Sequence, residues 1–225
     1  MTPSRPGPWG LYLLSDDEMV RSERFPALVR EAAAAGLRVV QLRAKDLDPE
    51  VVERVGLELR QITHATGIQF IVNDDPWLAL HLNADGVHVG QGDISPLEAR
   101  LIVGPDKLVG FSTHNREQIE QAQELPVDYI GVGPVFPTVS KEFPDPETGV
   151  ELIEWACRNS RLPAVAIGGI ALDNVESVLA TGAENVAVIS AICGAADPVG
   201  AVREFLERIE SFQKKTQDPG ENAPR

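Results

Sequence analysis

Short apolar runs recur along this chain at intervals that leave room for a helix between each pair. Eight of them read as strands: Trp9–Ser15, Arg38–Arg43, Gln69–Asn73, Gly86–Gly90, Leu108–Ser112, Tyr129–Gly133, Ala164–Gly168 and Asn185–Ser190. Between them, apolar residues fall at helical spacing over Phe25–Ala35, Asp48–Ala65, Pro96–Val103, Arg116–Glu124, Glu151–Asn159 and Leu172–Ala180, and Val199–Phe212 closes the pattern. The segment Pro76–Leu82 reads as short for a helix. Strands separated by helix-length segments pair in parallel and are covered on both faces. Eight such units in 225 residues predict a single-domain α/β fold, a (β/α)8 TIM barrel over residues 9–212, with an open doubly covered sheet as the alternative. Residues 1–8 and the polar stretch 213–225, with Pro219, Gly220 and Pro224, are expected to be flexible ends.

The chain also echoes itself. Ala84-Asp85-Gly86-Val87-His88-Val89-Gly90, Val127-Asp128-Tyr129-Ile130-Gly131-Val132-Gly133 and Ala183-Glu184-Asn185-Val186-Ala187-Val188-Ile189 each run from a small or apolar residue and an acid into a strand. One repeated unit, rather than two unrelated domains, accounts for this.

Composition narrows the function. Hydrophobic residues make up 43% of the chain, enough for a large core. Acids outnumber bases 34 to 20, a net charge of −14, which argues against a nucleic-acid partner and for a solvated acidic surface. The two cysteines, Cys157 and Cys193, have no close Cys/His neighbours in sequence, so neither zinc nor a disulfide framework is expected. Residues 1–8 carry no apolar leader core, and no stretch reaches membrane-spanning length; a cytoplasmic protein without a membrane partner is expected.

Against this acidic background two cations stand out. Gln41-Leu42-Arg43-Ala44-Lys45 closes the second strand, and alternation puts Gln41, Arg43 and Lys45 on one face. A polar face at the end of a buried strand needs a counter-charge, and a phosphate or pyrophosphate supplies one. Asp74 and Asp93, from the ends of strands three and four, could meet at the same mouth, where paired carboxylates beside a pyrophosphate suit Mg2+. Asp75, before Pro76, fits a helix cap better than Asp74 does, and Asn115 is the better cap for the helix after strand five. Ser112 offers a hydroxyl to a phosphate, while His114 reads as an ordinary loop histidine. A long loop after strand six carries Thr138, Ser140 and Lys141, a second anion-binding cluster and a candidate lid. Gly168-Gly169 and Ser190 end strands seven and eight, the usual phosphate-binding place of this fold. Two anion sites suggest two phosphorylated ligands and a transfer between them.

Taken in order, Gln41-Leu42-Arg43-Ala44-Lys45, Asn73-Asp74, Gly86-Val87-His88-Val89-Gly90-Gln91-Gly92-Asp93, Gly133-Pro134-Val135-Phe136-Pro137-Thr138-Val139-Ser140-Lys141, Ile167-Gly168-Gly169-Ile170 and Val188-Ile189-Ser190 resemble the thiamine phosphate synthase family, from Gly10 to about Phe212. The resemblance implies an Mg2+-dependent transferase that joins a hydroxymethylpyrimidine diphosphate to a thiazole phosphate and releases pyrophosphate through a pyrimidine-methyl cation. It implies that Gln41, Leu42, Arg43, Ala44, Lys45, Asn73, Ser112 and Lys141 hold the pyrimidine diphosphate, with Arg43, Lys45, Ser112 and Lys141 acting on the leaving group. It assigns the thiazole phosphate to Thr138, Val139, Ser140, Gly169, Ile189 and Ser190, and the metal to Asp74 and Asp93. A homodimer is a further implication. The chain departs from the family pattern at Ser140 (commonly threonine), at Trp77 (commonly aspartate) and in Glu142-Phe143-Pro144-Asp145-Pro146. The rival functions are the related thiazole tautomerase, which needs no diphosphate or metal site, and a silent protein that binds thiamine precursors.

Overall fold

In the computed structural model, which describes residues 7–138 and 146–217, the eight strands close into a parallel barrel in chain order. They are β1 Gly10–Leu14, β2 Val39–Leu42, β3 Gln69–Asn73, β4 Gly86–Val89, β5 Leu108–Thr113, β6 Tyr129–Val132, β7 Ala164–Ala166 and β8 Asn185–Val188, and β8 pairs back onto β1. The helices between and around them are α1 Asp17–Arg21, α2 Phe25–Ala34, α3 Pro49–Thr66, α4 Pro76–His81, α5 Pro96–Val103, α6 Arg116–Ala122, α7 Gly149–Asn159, α8 Val175–Leu179, α9 Ser190–Cys193 and α10 Pro198–Gln217. The barrel expectation therefore holds and the open-sheet alternative falls. Pro76–Leu82 does form a helix, and α10 continues five residues beyond Phe212, so the polar stretch 213–217 is helical.

Helix starts are written locally. Asp48-Pro49, Asp75-Pro76, Ser95-Pro96 and Asp197-Pro198 each place an oxygen acceptor before a proline at the first helical position. Asp48 accepts from Glu50 N, Asp75 from Trp77 N and Leu78 N, Ser95 from Glu98 N, and Asp197 from Gly200 N. The acceptor satisfies an orphan N–H, and proline gives up one that had no partner. Gly67, at φ 75°, ends α3 in the left-handed region that glycine adopts without strain.

Strand alternation makes two cores. In β1, Leu11 and Leu13 face outward to the helices, and Tyr12 faces the barrel interior. The outer layer, with Phe25, Leu59, Phe70, Ile119 and Phe205 fully buried, is much the larger; at about 1.5–3 kcal/mol for each such side chain it carries most of the hydrophobic stabilisation. The interior is a small cluster of Trp9, Tyr12, Val39, Ile71, Leu108, Tyr129, Val165 and Ala187. Trp9 forms its floor, edge-on to Tyr12 and Tyr129 at 5.3 and 5.0 Å between ring centres.

The repeated acid before a strand has a structural cause. Asp85 N donates to Phe70 O at 2.7 Å, and its carboxylate accepts from Phe70 N at 2.8 Å. Asp128 does the same to Val109, at 2.8 and 2.7 Å. Arg60 and Arg100 hold these carboxylates at 3.0 and 2.5 Å. In the third copy the stitch moves one residue, and Asn185 Oδ1 accepts from Trp9 N at 2.7 Å. All three lie where strands begin, the end of the barrel that serves stability. Asp128→Ala is therefore expected to cost about 2–3 kcal/mol, since it leaves the Val109 N–H without this acceptor and Arg100 without its carboxylate, holding only backbone carbonyls, in a half-buried place. That corresponds to a melting midpoint lower by roughly 5–10 °C, and activity measured well below the midpoint should be unchanged. Differential scanning calorimetry checks it; an unaltered midpoint would show that the stitch is redundant.

Candidate active site

One cavity opens at the ends of the strands. Gln41 from β2 and Arg43 just after it, Asn73 from β3, His88 from β4, Ser112 from β5 and His114 just after it, and Gly131 from β6 line one side. Thr138, Gly168, Gly169, Ile170, Ile189 and Ser190 line the other, above an interior of Tyr12, Leu14, Tyr129, Val165, Ile167 and Ala187. Gln41, Arg43 and Ser112, expected at one anion site, thus share a cavity with Thr138, Gly168, Gly169 and Ser190, expected at the other, while Lys45, Asp74 and Asp93 are not part of its lining. Gly168 and Gly169 turn at φ 88° and 66°, and a Cβ on Gly169 would sit 2.5 Å from Pro137 O, so only glycine lets the loop after β7 press against the loop after β6.

A line of polar groups crosses the cavity floor. Gln41 Nε2 donates to the Tyr12 hydroxyl at 2.8 Å, the Tyr12 and Tyr129 hydroxyls lie 3.0 Å apart, and Tyr129 Oη lies 3.1 Å from His88 Nδ1. His88 Nε2 lies 2.9 Å from Ser112 Oγ. Burial raises the pKa of both phenols well above the usual tyrosine value, so both stay protonated and can donate. Gln41 is 2% exposed, and its Oε1 has no hydrogen-bond partner among the described residues. A buried carbonyl of this kind is costly until a ligand donor meets it. Gly110 makes room for the line, because a Cβ there would lie 2.2 Å from Tyr129 Cζ and 2.4 Å from His88 Nδ1.

At the rim, Lys45 Nζ contacts Asp74 Oδ2, and Asp74 hydrogen-bonds Asp93. Burial, and then the neighbouring Asp93, raise Asp74 above the usual carboxylate range despite Lys45. Burial also works to raise Asp93, but the hydrogen bond with Asp74 and the Gly90 N–H at 2.7 Å outweigh it and hold Asp93 below that range. Asp74 is aimed here by a left-handed backbone, φ 65°, which aspartate tolerates better than most residues. Ser15 Oγ clamps both the N–H and the carbonyl of Arg43, each at 2.8 Å, so the chain leaving β2 is fixed where its cations project.

Several expectations need correction. β2 ends at Leu42, so Arg43 and Lys45 follow the strand rather than belong to it. Leu42 packs into the outer core and Ala44 against it, so neither side chain meets the cavity. Strand eight ends at Val188, and Ser190 opens the short helix α9. His114 is no ordinary loop residue, since it lines the cavity and its Nδ1 lies 2.5 Å from Gly133 O. Asp75 and Asn115 cap α4 and α6 as expected. Trp77 is 65% exposed on α4 and outside the cavity lining, so this departure leaves the site's residue set intact. Val139, Ser140 and Lys141 lie outside the described residues. Tyr12, His88 and Tyr129 also line the cavity, although polar residues inside apolar runs read as core; the one signal in the sequence is their place on inward positions of β1, β4 and β6.

A closed barrel with cations, paired carboxylates and glycine turns at its carboxyl mouth defines an enzyme acting on phosphorylated small molecules. The model of the family described as thiamine monophosphate synthase matches residues 11–192. The chain belongs to that family and is a transferase. It is 38% identical over 208 residues to the thiamine-phosphate synthase of Methanoregula boonei, covering 92% of this chain and 96% of that one. It is 45% identical over 196 residues to the thiamine biosynthesis bifunctional protein ThiED of Geobacter sulfurreducens, covering 87% of this chain but only 39% of that longer protein. The solved thiamine phosphate pyrophosphorylase of Pyrococcus furiosus superposes with a TM-score of 0.82 at 33% identity, over 91% of this chain and 97% of that one.

Proposed function

We propose that this cavity joins a hydroxymethylpyrimidine diphosphate to a thiazole phosphate, giving thiamine phosphate and pyrophosphate. The observation that carries the reading is the single cavity, which takes in both Gln41, Arg43, Asn73 and Ser112 and the loops of Gly169, Ile189 and Ser190. A transfer between two phosphorylated partners needs both held together and oriented. Gln41 Oε1 is a ready acceptor for an exocyclic amine on the pyrimidine. Arg43 and Lys45 stabilise the charge that leaves with the diphosphate. The apolar interior keeps water from the cationic carbon until the thiazole nitrogen captures it.

Mg2+ fits Asp74 and Asp93. Among the described residues no group of three or more His, Cys, Asp or Glu is placed to hold a metal, so such an ion would keep positions for phosphate oxygens and water, as Mg2+ prefers. A divalent cation would also relieve the two carboxylates that now share a hydrogen bond. When bound, it would neutralise developing charge on the departing diphosphate. A cytoplasmic location, expected from the sequence, belongs to this proposal, and so does a homodimer, on the family resemblance alone.

Turnover decides. Purified protein given the pyrimidine diphosphate, the thiazole phosphate and Mg2+ should yield thiamine phosphate and pyrophosphate by chromatography. Conversion of the thiazole alone would instead establish the tautomerase, and binding of both ligands without product would establish the silent binding protein. The rim cluster of Lys45, Asp74 and Asp93 favours the synthase over the tautomerase, which has no diphosphate to hold.

A further inference from the structure

The line of hydrogen bonds across the cavity floor has a direction. Gln41 Nε2 donates to Tyr12 Oη, so the Tyr12 hydroxyl keeps its own proton for Tyr129 Oη, its other partner. Tyr129 then holds its proton for His88 Nδ1. An Nδ1 that accepts leaves the ring proton on Nε2, which faces Ser112 Oγ. Ser112 Oγ accepts that proton and has its own hydrogen to give to the cavity. Were the Gln41 amide turned over, every bond in the line would reverse together, Ser112 would donate to His88, and its hydroxyl would face the cavity as an acceptor.

We propose that Gln41, Tyr12, Tyr129 and His88 form a polarised relay in which His88 is a positioning residue, holding the Ser112 hydroxyl as a donor to the departing diphosphate while Gln41 Oε1 stays an acceptor for the pyrimidine. The relay rests on the diphosphate reading of the cavity for its role, though not for its direction. One end faces each part of the same substrate, so the line sets both recognition groups at once. The buried phenols supply two of the protons, and the absence of a side chain at Gly110 supplies the space. A hydroxyl that rotates to accept would oppose the anion instead of stabilising it, and loss of one such preorganised donor costs about a hundredfold in rate.

Two measurements test this. Nitrogen NMR of the ligand-free protein, labelled at the imidazoles and assigned with His88→Gln, should show His88 protonated at Nε2 and bare at Nδ1. Tyr129→Phe should lose that tautomer preference while keeping a melting midpoint close to that of the parent. In turnover, Tyr129→Phe and His88→Leu should each lower kcat by about a hundredfold, with the KM for the thiazole phosphate within about threefold. His88→Gln, whose amide can still accept from Tyr129 and donate to Ser112, should recover at least about tenfold of the loss in His88→Leu. A His88 protonated at Nδ1 in the parent would overturn the relay, as would equal kcat values for His88→Gln and His88→Leu. The NMR result stands whatever the reaction is, so a parent protein that fails to form thiamine phosphate would overturn the functional reading and leave the direction of the relay decided separately.

Discussion

Turnover is expected to be lost in excess chelator and restored by Mg2+, and Asp93→Ala is expected to lower kcat by at least about a hundredfold with the fold intact. Asp93 is held in its ionised form by the Gly90 N–H and by Asp74, and it sits beside Lys45 at the mouth where a diphosphate would rest. A carboxylate so placed has no structural duty that alanine would ruin, because its backbone partner lies in an exposed turn. The catalytic loss is that of the cation which would neutralise the leaving charge, a contribution worth several kcal/mol. Circular dichroism and the melting midpoint of the variant should match the parent. Full activity in excess chelator, with metal content verified, removes the metal from the proposal and leaves Asp74 and Asp93 as rim hydrogen-bond partners only.

Arg43→Ala should weaken binding of the pyrimidine diphosphate by about 10- to 150-fold, the loss of a charge-assisted contact of roughly 1.5–3 kcal/mol. Binding of the thiazole phosphate should change by less than about threefold. Both backbone groups of Arg43 are clamped by Ser15, so the substitution removes the guanidinium without moving the chain. The cation leaves the β2 end of the cavity, whereas the glycine turns that would meet the second phosphate follow β7 and β8. Titration calorimetry with each ligand in turn measures the two effects. Equal losses would mean that the two phosphates share one set of contacts and that the division of the cavity is wrong.

Much of the fold is legible in the sequence. The eight apolar runs lie within one or two residues of the strands at most ends, since buried parallel strands have to be nearly continuous in apolar residues. Cap-plus-proline pairs mark four helix starts because they act within a single turn of chain. The short helices α1 and α9 escaped, each being too brief to show a period of apolar residues. At the strand ends, Gln41, Arg43, Lys45, Asp74, Asp93 and Ser112 stand out in the sequence because charge and polarity there conflict with burial. The side chain of Leu42 packs away from the cavity, because motif membership says nothing about which face a side chain takes.

The amino-acid sequence by itself determined the alternation of strands and helices, the places where helices begin, and the family. All of these rest on contacts between residues close along the chain or on the order of motifs. The tertiary structure alone decided that Gln41, Arg43 and Ser112 share one cavity with Gly169 and Ser190, that Lys45 and Asp93 meet through Asp74, and that a polar line runs from Gln41 through Tyr12, Tyr129 and His88 to Ser112. Tyr12 and Tyr129 are 117 residues apart, and no local pattern records which inward-facing residues meet once the barrel closes. Closure joins β8 to β1 and brings inward positions from distant strands within hydrogen-bond reach, a geometry that the strand register sets and that no single segment of the chain contains.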